Sequence, residues 1–331
     1  MKKFFLIILP ILLFFIALPL GRYPIHLDEL FILLSSKVFS YDHHLPETMN
    51  TVIFQVRLPR IIAAMLIGAA LSVSGAAFQG IFRNPLVSPD ILGASAGAGF
   101  GAALAILFSW GITGIHLSSF FFGLAAVLLT YGLSRLVREN ETSIVLVLTG
   151  ILVSTVFSSL ISLIKYVADP YDKLPAITFW LMGSLTRIEM EDLFLILIPL
   201  LLGFIPLFLL RWRLNVLSFG DEEASTMGIE VNQLQVIIIL SSTLLTASVV
   251  SISGMIGWVG LVIPHFARLI VGPNYKVLLP TSVLLGSSYL LLVDTLARVT
   301  LSMEIPLGIL TSLIGAPFFI YLFIHSRSGW K

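Results

Sequence analysis

Long runs of apolar residues, separated by short polar stretches, make up most of the chain. An α-helix of about 20 residues, rising 1.5 Å per residue, crosses a hydrocarbon core of about 30 Å. The pattern therefore predicts an all-α fold, a polytopic transmembrane helical bundle of about ten spans, in which residues 1–331 form a single domain. The predicted spans are Phe4–Leu20, Ile61–Gly80, Ile91–Phe108, Ser118–Leu136, Thr142–Ile164, Leu193–Leu210, Leu234–Ile252, Gly257–Val271, Val277–Leu296 and Leu307–Phe323. Pro175–Leu185 is too short to span and is expected at the outer face.

The basic residues give the expected orientation. Met1-Lys2-Lys3 precedes the first apolar run, which could alternatively be a secretory signal peptide, but no A-x-A-type cleavage site follows it. Arginines follow the fourth and sixth spans, and basic residues are enriched on the cytoplasmic side of membrane proteins. We expect both termini in the cytoplasm.

Composition narrows the class of protein. Hydrophobic residues make up 57% of the 331 residues and charged residues 11%, whereas soluble domains are about 25% charged. The net charge of +1 gives no reason to expect a nucleic-acid partner, and the absence of cysteine excludes thiolate metal sites. No phosphate-binding GxxxxGK[ST] loop or HExxH motif occurs, and we expect no catalytic residue, no metal site and no cofactor in this chain.

The stretch Ser72–Gly101 interrupts the apolar pattern. It carries a polar patch from Gln79 to Pro85, followed by a run rich in glycine, alanine and serine. Unsatisfied backbone groups are costly in hydrocarbon, so the patch is expected at a membrane face, within protein or beside a water-filled path. The small residues allow another helix, or a cargo, to approach closely.

A short internal echo suggests a duplicated unit. Ser72-Val73-Ser74-Gly75 recurs as Ser251-Ile252-Ser253-Gly254, and Pro85 and Pro264 follow at the same offset, so residues 72–85 match 251–264. Interrupted segments at matching places in two halves are typical of transporters. Chance is the alternative, because Gly, Ser and Pro are common in membrane helices.

Three arginines near the predicted outer face form a candidate receptor for carboxylates. The guanidinium groups of Arg57, Arg60 and Arg298 can bind carboxylates in a bidentate manner. Alternatively they anchor helices at the interface, and Arg298 forms an exposed helical pair with Asp294. Asp294 lies within a span, where an acid is a functional candidate, so an ion-coupled secondary transporter or channel is a second hypothesis. A structural or assembly subunit is a third.

The polar segment 214–233 lies on the predicted cytoplasmic side. Its glycines and its acidic run predict two short helices, although an ordinary connecting loop is the alternative. His43 and His44, in the first external loop, are more often solvated residues than metal ligands.

Several motifs carry a resemblance to a known family. They are RLPR (Arg57–Arg60), GAALSVSGAAFQGIFRNPLVSPDILGASAGAGFG (Gly68–Gly101), LSFGDEEASTMGI (Leu217–Ile229), SGMIGWVGLVIPHFAR (Ser253–Arg268) and LVDTLAR (Leu292–Arg298). In order and spacing the chain resembles the permease subunits of bacterial ABC importers for vitamin B12, iron-siderophores, haem and related metal chelates, a family with molybdate-type members.

The resemblance implies a type II ABC importer permease in the bacterial cytoplasmic (inner) membrane. It implies a homodimer with the pathway between two copies, two cytoplasmic ATPase subunits that bind ATP and Mg, and a binding protein outside. The arginines at 57, 60 and 298 would meet the binding protein. The residues expected to couple to the ATPase are Gly220, Asp221, Glu222, Glu223, Ala224 and Gly228. Those expected at the pathway and its cytoplasmic gate are Gln79, Asn84, Pro85, Leu86, Thr142 and Ser143. Cargo is left open, with an iron-siderophore expected first and cobalamin, haem or molybdate as alternatives.

Overall fold

The computed structural model of the chain describes residues 2–39, 45–137, 142–301 and 303–325. His43 and His44 lie outside the described residues, as do the side chains of Thr142 and Ser143.

Fifteen α-helices, a π-helix and a 3₁₀-helix make up the described structure. They are α1 Lys2–Ala17, α2 Leu27–Phe39, α3 Glu47–Thr51, the π-helix Val52–Arg57, α4 Leu58–Ile81, the 3₁₀-helix Pro89–Leu92, α5 Ala94–Leu107, α6 Gly111–Ser134, α7 Thr142–Val167, α8 Lys173–Leu181, α9 Met190–Leu209, α10 Arg211–Leu217, α11 Asp221–Thr226, α12 Val231–Ser253, α13 Val259–Val271, α14 Tyr275–Val299 and α15 Leu307–His325.

The helices confirm the predicted fold class. In the described ranges, six helices are long and apolar enough to cross a membrane, and four shorter apolar helices accompany them. Each predicted span coincides with one of these helices, and α8, at 9 residues, has the short length expected of it. The number of membrane crossings stays a prediction.

Helix α4 begins at Leu58 with Pro59 in its first turn, but it continues an earlier helical stretch. One continuous helical segment of 35 residues runs from Glu47 to Ile81. Proline has no N–H to donate to a preceding carbonyl. The wider turns of the π-helix lie directly before Pro59, with the Leu58 N–H bonded to the Ile53 carbonyl, and the helix continues through the proline.

The bundle has an inner and an outer set of helices. The apolar windows of the α4 segment and of α12 are 83% and 78% buried inside the chain. The corresponding windows of α6, α7 and α9 are 33%, 33% and 28% buried. The outer helices therefore present most of their apolar side chains to the surroundings, as lipid contact requires, while α4 and α12 form the centre.

Helices α4 and α14 pack against each other in antiparallel orientation with almost no space between their backbones. A Cβ atom on Gly68 would lie 2.1 Å from the Gly286 carbonyl oxygen, so neither position can carry a larger residue without a shift. Close glycine contacts of this kind are typical of helix pairs in membranes.

The small residues of α5 allow another helix to pack closely against it, as the sequence predicts. A Cβ atom on Gly101 would lie 2.4 Å from the Ser118 carbonyl oxygen of α6. The Ser118 hydroxyl donates a hydrogen bond of 2.8 Å to the Gly101 carbonyl. Here the neighbour is another helix of the same chain.

The two copies of the internal echo have different backbones. Ser72–Gly75 lies within α4, whereas the second copy ends α12, with Gly254 outside the helix at φ 70°. Pro85 lies in the turn after α4 and Pro264 lies inside α13. Duplication stays a prediction.

Candidate functional site

An ion cluster lies where the start of α4 meets the end of α14. The Arg60 Nε atom donates to both carboxylate oxygens of Asp294, at 2.9 and 3.2 Å. Its Nη1 atom lies 2.9 Å from Oε2 of Glu304, in the connection between α14 and α15. The Arg298 Nε atom is 3.2 Å from Asp294 Oδ2. We call Arg57, Arg60, Asp294, Arg298 and Glu304 the arginine cluster.

Arg57 lies beside the other members of this cluster, but its guanidinium group is hydrogen-bonded to backbone carbonyl oxygens. Its Nη1 atom donates to the carbonyl oxygens of Leu18 at 2.7 Å and Pro19 at 2.9 Å, and Nη2 donates to that of Tyr23. The last carbonyls of a helix have no partner within the helix, and Arg57 supplies one just after α1.

All three predicted docking arginines are buried. The sequence predicts an open receptor, and for Arg298 the alternative of an exposed pair with Asp294. The pair exists but is buried, because Arg60 of α4 covers the carboxylate from the other side. The structure therefore brings Arg57, Arg60 and Arg298 together, with their donors turned inward.

Asp294 is fully buried and lies between two guanidinium groups. A buried charge is tolerated when it is paired and hydrogen-bonded, and Asp294 meets both conditions. Its geometry is that of a structural ion pair, which weakens the case for an ion relay.

Glu304 was not expected from the sequence, where it is one acid in a short loop. Its side chain is 24% exposed, and the Thr186 hydroxyl donates to it at 2.7 Å. Burial by itself would raise its pKa, but the Thr186 hydrogen bond and the nearby Arg60 and Arg22 charges outweigh burial and lower the pKa of Glu304 below its usual 4.5. It is ionised at neutral pH.

The polar segment 214–233, called the acidic segment from here on, lies at the other end of the bundle and includes two short helices, as predicted. Helices α10 and α11 follow α9, and Ala224 is fully buried against the bundle. Phe219 and Met227 are 76% and 60% exposed, and Glu222 and Glu223 are exposed beside them. The segment therefore presents two large apolar side chains and two acids on its exposed surface.

Backbone geometry explains the glycines of this segment. Gly220 has φ 140° and Gly228 has φ 79°, both in the region that favours glycine. Asp221, at the start of α11, lies 3.3 Å from the Arg83 guanidinium, and both side chains are partly exposed. Arg83 itself has φ 47°, in the turn that ends α4.

The predicted gate residues separate into buried and exposed groups. Gln79 is buried, accepts a hydrogen bond from Arg268 and donates to the Leu261 carbonyl at 3.3 Å. In the following turn the Asn84 carboxamide oxygen accepts from the Leu86 N–H at 2.9 Å, and Leu86 is 44% exposed. Thr142 begins α7.

A groove next to this turn carries many hydroxyl groups. It has a volume of about 530 Å³ and runs from Leu86 along one face of α7. Its lining residues are Leu86, Ser88, Asp90, Ile91, Ile151, Ser154, Thr155, Ser158, Ser159 and Ser162. Sequence reasoning missed this groove, although the spacing of serines and threonines in α7 indicates a polar stripe on one helix face.

In the described part of the chain, a bundle of apolar helices long enough to cross a membrane carries a groove with hydroxyl groups on one side and an acidic surface at one end, as expected of a membrane protein. Comparison with known proteins supports this class and identifies the family. The model of the FecCD transport family matches residues 8–325, so the chain belongs to this family of ABC importer permeases for metal-chelate-type substrates, which are transport subunits and not enzymes.

Similar proteins cover nearly the whole chain. The molybdate import system permease MolB of Haemophilus influenzae is 43% identical over 315 residues, 95% of this chain and 92% of that protein. A Helicobacter pylori protein named as a probable iron chelatin transport system permease is 43% identical over 280 residues, 85% of this chain and 84% of that protein. A metal-chelate type ABC transporter, solved in an inward-facing conformation, superposes with a TM-score of 0.87 at 42% identity, covering 97% and 98% of the two chains. Other relatives are named as cobalamin and haemin permeases.

Proposed function

We propose that two copies of this chain form the conduit of an importer that two ATPase subunits drive and a solute-binding protein supplies. The family match over residues 8–325 carries this proposal. ATP binding and hydrolysis in the partner would move the acidic segment and thereby favour one arrangement of the spans over another. ATP and Mg would be bound by the ATPase and not by this chain. We expect the cytoplasmic membrane as its location, with both termini inside.

The acidic segment is the surface proposed for the ATPase. Phe219 and Met227 would fill apolar pockets, while Glu222 and Glu223 would pair with basic groups at the rim. Buried Ala224 holds the segment to the bundle, Asp221 joins it to Arg83, and Gly220 and Gly228 provide the turns on either side.

The arginine cluster is the surface proposed for the binding protein. It holds three cations, Arg57, Arg60 and Arg298, against two acids, Asp294 and Glu304, and the exposed Arg22 lies close to Glu304. A net positive field attracts a carboxylate of a partner and speeds its encounter. Direct contact with Arg60 would require the arriving carboxylate to replace Glu304, the more exposed of its two acids.

The cytoplasmic exit is proposed at the turn after α4 and the start of α7. Asn84, Pro85 and Leu86 lie in that turn, Gln79 lies in the last turn of α4 before it, and Thr142 and Ser143 begin α7.

The cargo is proposed to be a metal-containing solute. Molybdate is favoured by a relative matched over 95% of this chain and 92% of its own length. An iron chelate such as an iron-siderophore is the second candidate, because a relative of equal identity is named for iron chelatin.

Uptake into proteoliposomes tests this function. Vesicles containing the permease and its ATPase, supplied with the binding protein and ATP, should accumulate radiolabelled molybdate or ferric siderophore, while vesicles lacking the ATPase should not. Flux driven by a proton or sodium gradient without the ATPase would instead support the ion-coupled alternative.

A further inference from the structure

A row of hydrogen bonds joins α10, in the acidic segment, to the start of α14. The Asn215 carboxamide oxygen accepts from the Tyr275 N–H at 2.8 Å, and its Nδ2 atom donates to Asn274 Oδ1 at 3.1 Å. Asn274 caps α14, since the same oxygen accepts from the Lys276 N–H at 3.0 Å. A shift of α10 therefore acts on the first turn of α14 through two side-chain contacts.

Tyr275 extends this connection into the centre of the bundle. Its side chain is buried, and its hydroxyl donates to the Ala76 carbonyl of α4 at 3.3 Å. A Cβ atom on Gly80 would lie 2.6 Å from that hydroxyl oxygen, so the absence of a side chain at position 80 makes the contact possible.

Arg268 continues the connection to a predicted gate residue. Its Nη2 atom lies 3.5 Å from the Tyr275 hydroxyl, and its Nη1 atom donates to the Gln79 carboxamide oxygen. Gln79 in turn donates to the Leu261 carbonyl of α13. Three helices, α4, α13 and α14, thus meet at these side chains in the last turn of α4.

We propose that Asn215, Tyr275, Arg268 and Gln79 form a polar relay that positions the last turn of α4, and with it the exit turn Asn84–Leu86, according to the state of the acidic segment. The relay rests on the proposed ATPase partner and assigns to these residues a positioning role. Tyr275 and Gln79 are buried, and the contacts that join them to Asn215 and Arg268 are partly buried. At such buried side chains a lost hydrogen bond is costly, so the bonded arrangement is favoured.

The second connection between the two regions is weaker. The ion pair of Arg83 with Asp221 also joins the exit turn to α11, but both of its side chains are about 40% exposed. Exposed ion pairs contribute little to stability and are screened by salt. The relay should therefore keep working at high ionic strength.

A cysteine reporter at the exit tests the relay. The chain has no cysteine, so Leu86→Cys introduces a single labelling site. In nanodiscs containing the permease and ATPase, the rate of maleimide labelling at this site is measured without nucleotide and with ADP and vanadate. We expect the two rates to differ in the Leu86→Cys parent.

Tyr275→Phe deletes one oxygen and keeps the ring, and Asn215→Ala removes the contacts at the other end. Loss of one such hydrogen bond corresponds to about a fivefold change in an equilibrium. We expect either change to reduce the nucleotide-dependent ratio of labelling rates about fivefold or to remove it, while ATP hydrolysis and co-purification with the ATPase persist. Their combined effect should be less than the product of the two, as for residues in one network.

Tyr131→Phe is the matched control. The Tyr131 hydroxyl also bonds an arginine, accepting from Arg135 Nε at 2.9 Å, but both residues belong to α6 and its end, away from the relay. This variant should keep the parental response. Equal responses in parent, Tyr275→Phe and Asn215→Ala, each with an unchanged melting temperature, overturn the relay. A Leu86→Cys parent without any nucleotide response removes the proposed ATPase coupling itself.

Discussion

At the scale of single residues, burial changes which function can be assigned to a charged side chain. The arginines at 57, 60 and 298 are the groups that the sequence marks for docking, and their proximity was a correct expectation of position. Their burial was not foreseen, because a one-dimensional pattern does not show that Glu304 and Asp294 approach Arg60 from two different elements. The docking role of these arginines stays a prediction. It now requires that Arg60 exchange Glu304 for a carboxylate of the binding protein.

Asp294→Asn tests whether this acid is structural. Removing one member of a buried charge network leaves Arg60 and Arg298 without their shared carboxylate and should cost about 3 kcal/mol or more. We expect a clear fall in melting temperature, measured by fluorescence in detergent, against a small change for the exposed acid in Asp28→Asn. A fully stable Asp294→Asn protein that loses ion-driven flux would favour the ion-coupled alternative.

Glu304→Gln should show a pH-dependent loss of stability. The pKa of Glu304 is lowered on folding, so its ionised form stabilises the fold above its unfolded pKa of about 4.5, and this contribution disappears as the pH falls through the lower folded value. At pH 7 we expect the variant to be less stable by about 1 kcal/mol, since the side chain is partly exposed.

Melting temperatures of the wild type and Glu304→Gln between pH 7 and pH values below 4.5 measure this effect. The two curves should converge at the acidic end. Glu191→Gln, a change at an exposed acid in the first turn of α9, is the control. A difference that is constant over the whole pH range would contradict the assignment to the ionised carboxylate.

At the scale of helices, local patterns predicted the elements well and their junctions less well. Each apolar run became a helix because an α-helix pairs the backbone N–H and C=O groups of an apolar segment within the segment itself. The sequence predicts a span at Ile61–Gly80, whereas the helical segment begins at Glu47, because the π-helix before Leu58 has no local sequence signal. The relay was not predicted, since Asn215, Tyr275 and Gln79 lie far apart in the chain and meet only through packing.

Gly228→Val tests the turn after α11. A Cβ atom at this position meets no atom within 4 Å, so the change adds backbone strain without a clash, worth about 1–2 kcal/mol at φ 79°. We expect a displaced acidic segment, weaker binding to the ATPase in a pull-down titration and lower ATP-driven uptake.

Gly132→Val is the matched control, because Gly132 also has open space around it but lies within α6. It should bind the ATPase like the wild type. Equal affinity of Gly228→Val and Gly132→Val for the ATPase would remove the turn from the proposed coupling surface.

On the scale of the whole molecule, charged and hydrogen-bonding side chains are concentrated at the two ends of the α4–α14 pair. The arginine cluster lies at one end, and Gln79, Arg268 and Tyr275 lie at the other. The family and the fold were predictable from the sequence because the motifs are spread, in order, over most of the chain. The cargo was not predictable, because relatives of equal identity are named for molybdate and for iron chelatin.

Arg22→Glu tests the long-range field at the docking end. Arg22 is exposed and lies near Glu304, so reversing its charge should slow association of the binding protein several-fold at low salt, with a smaller effect on dissociation. The difference from wild type should shrink at high salt. Surface plasmon resonance on nanodiscs measures both rates, with Lys165→Glu, at the end of α7, as the control. Identical association rates for Arg22→Glu and wild type at low salt would rule out steering by this end.

The glycine contact of α4 with α14 has a mechanical consequence for any transport cycle. The two helices touch backbone to backbone at Gly68 and Gly286, and hydrogen bonds join them near both ends. They therefore cannot slide or separate independently. They would move as one rigid body. A displacement caused by the binding protein at one end and a displacement caused by the ATPase at the other end would therefore act on the same motion.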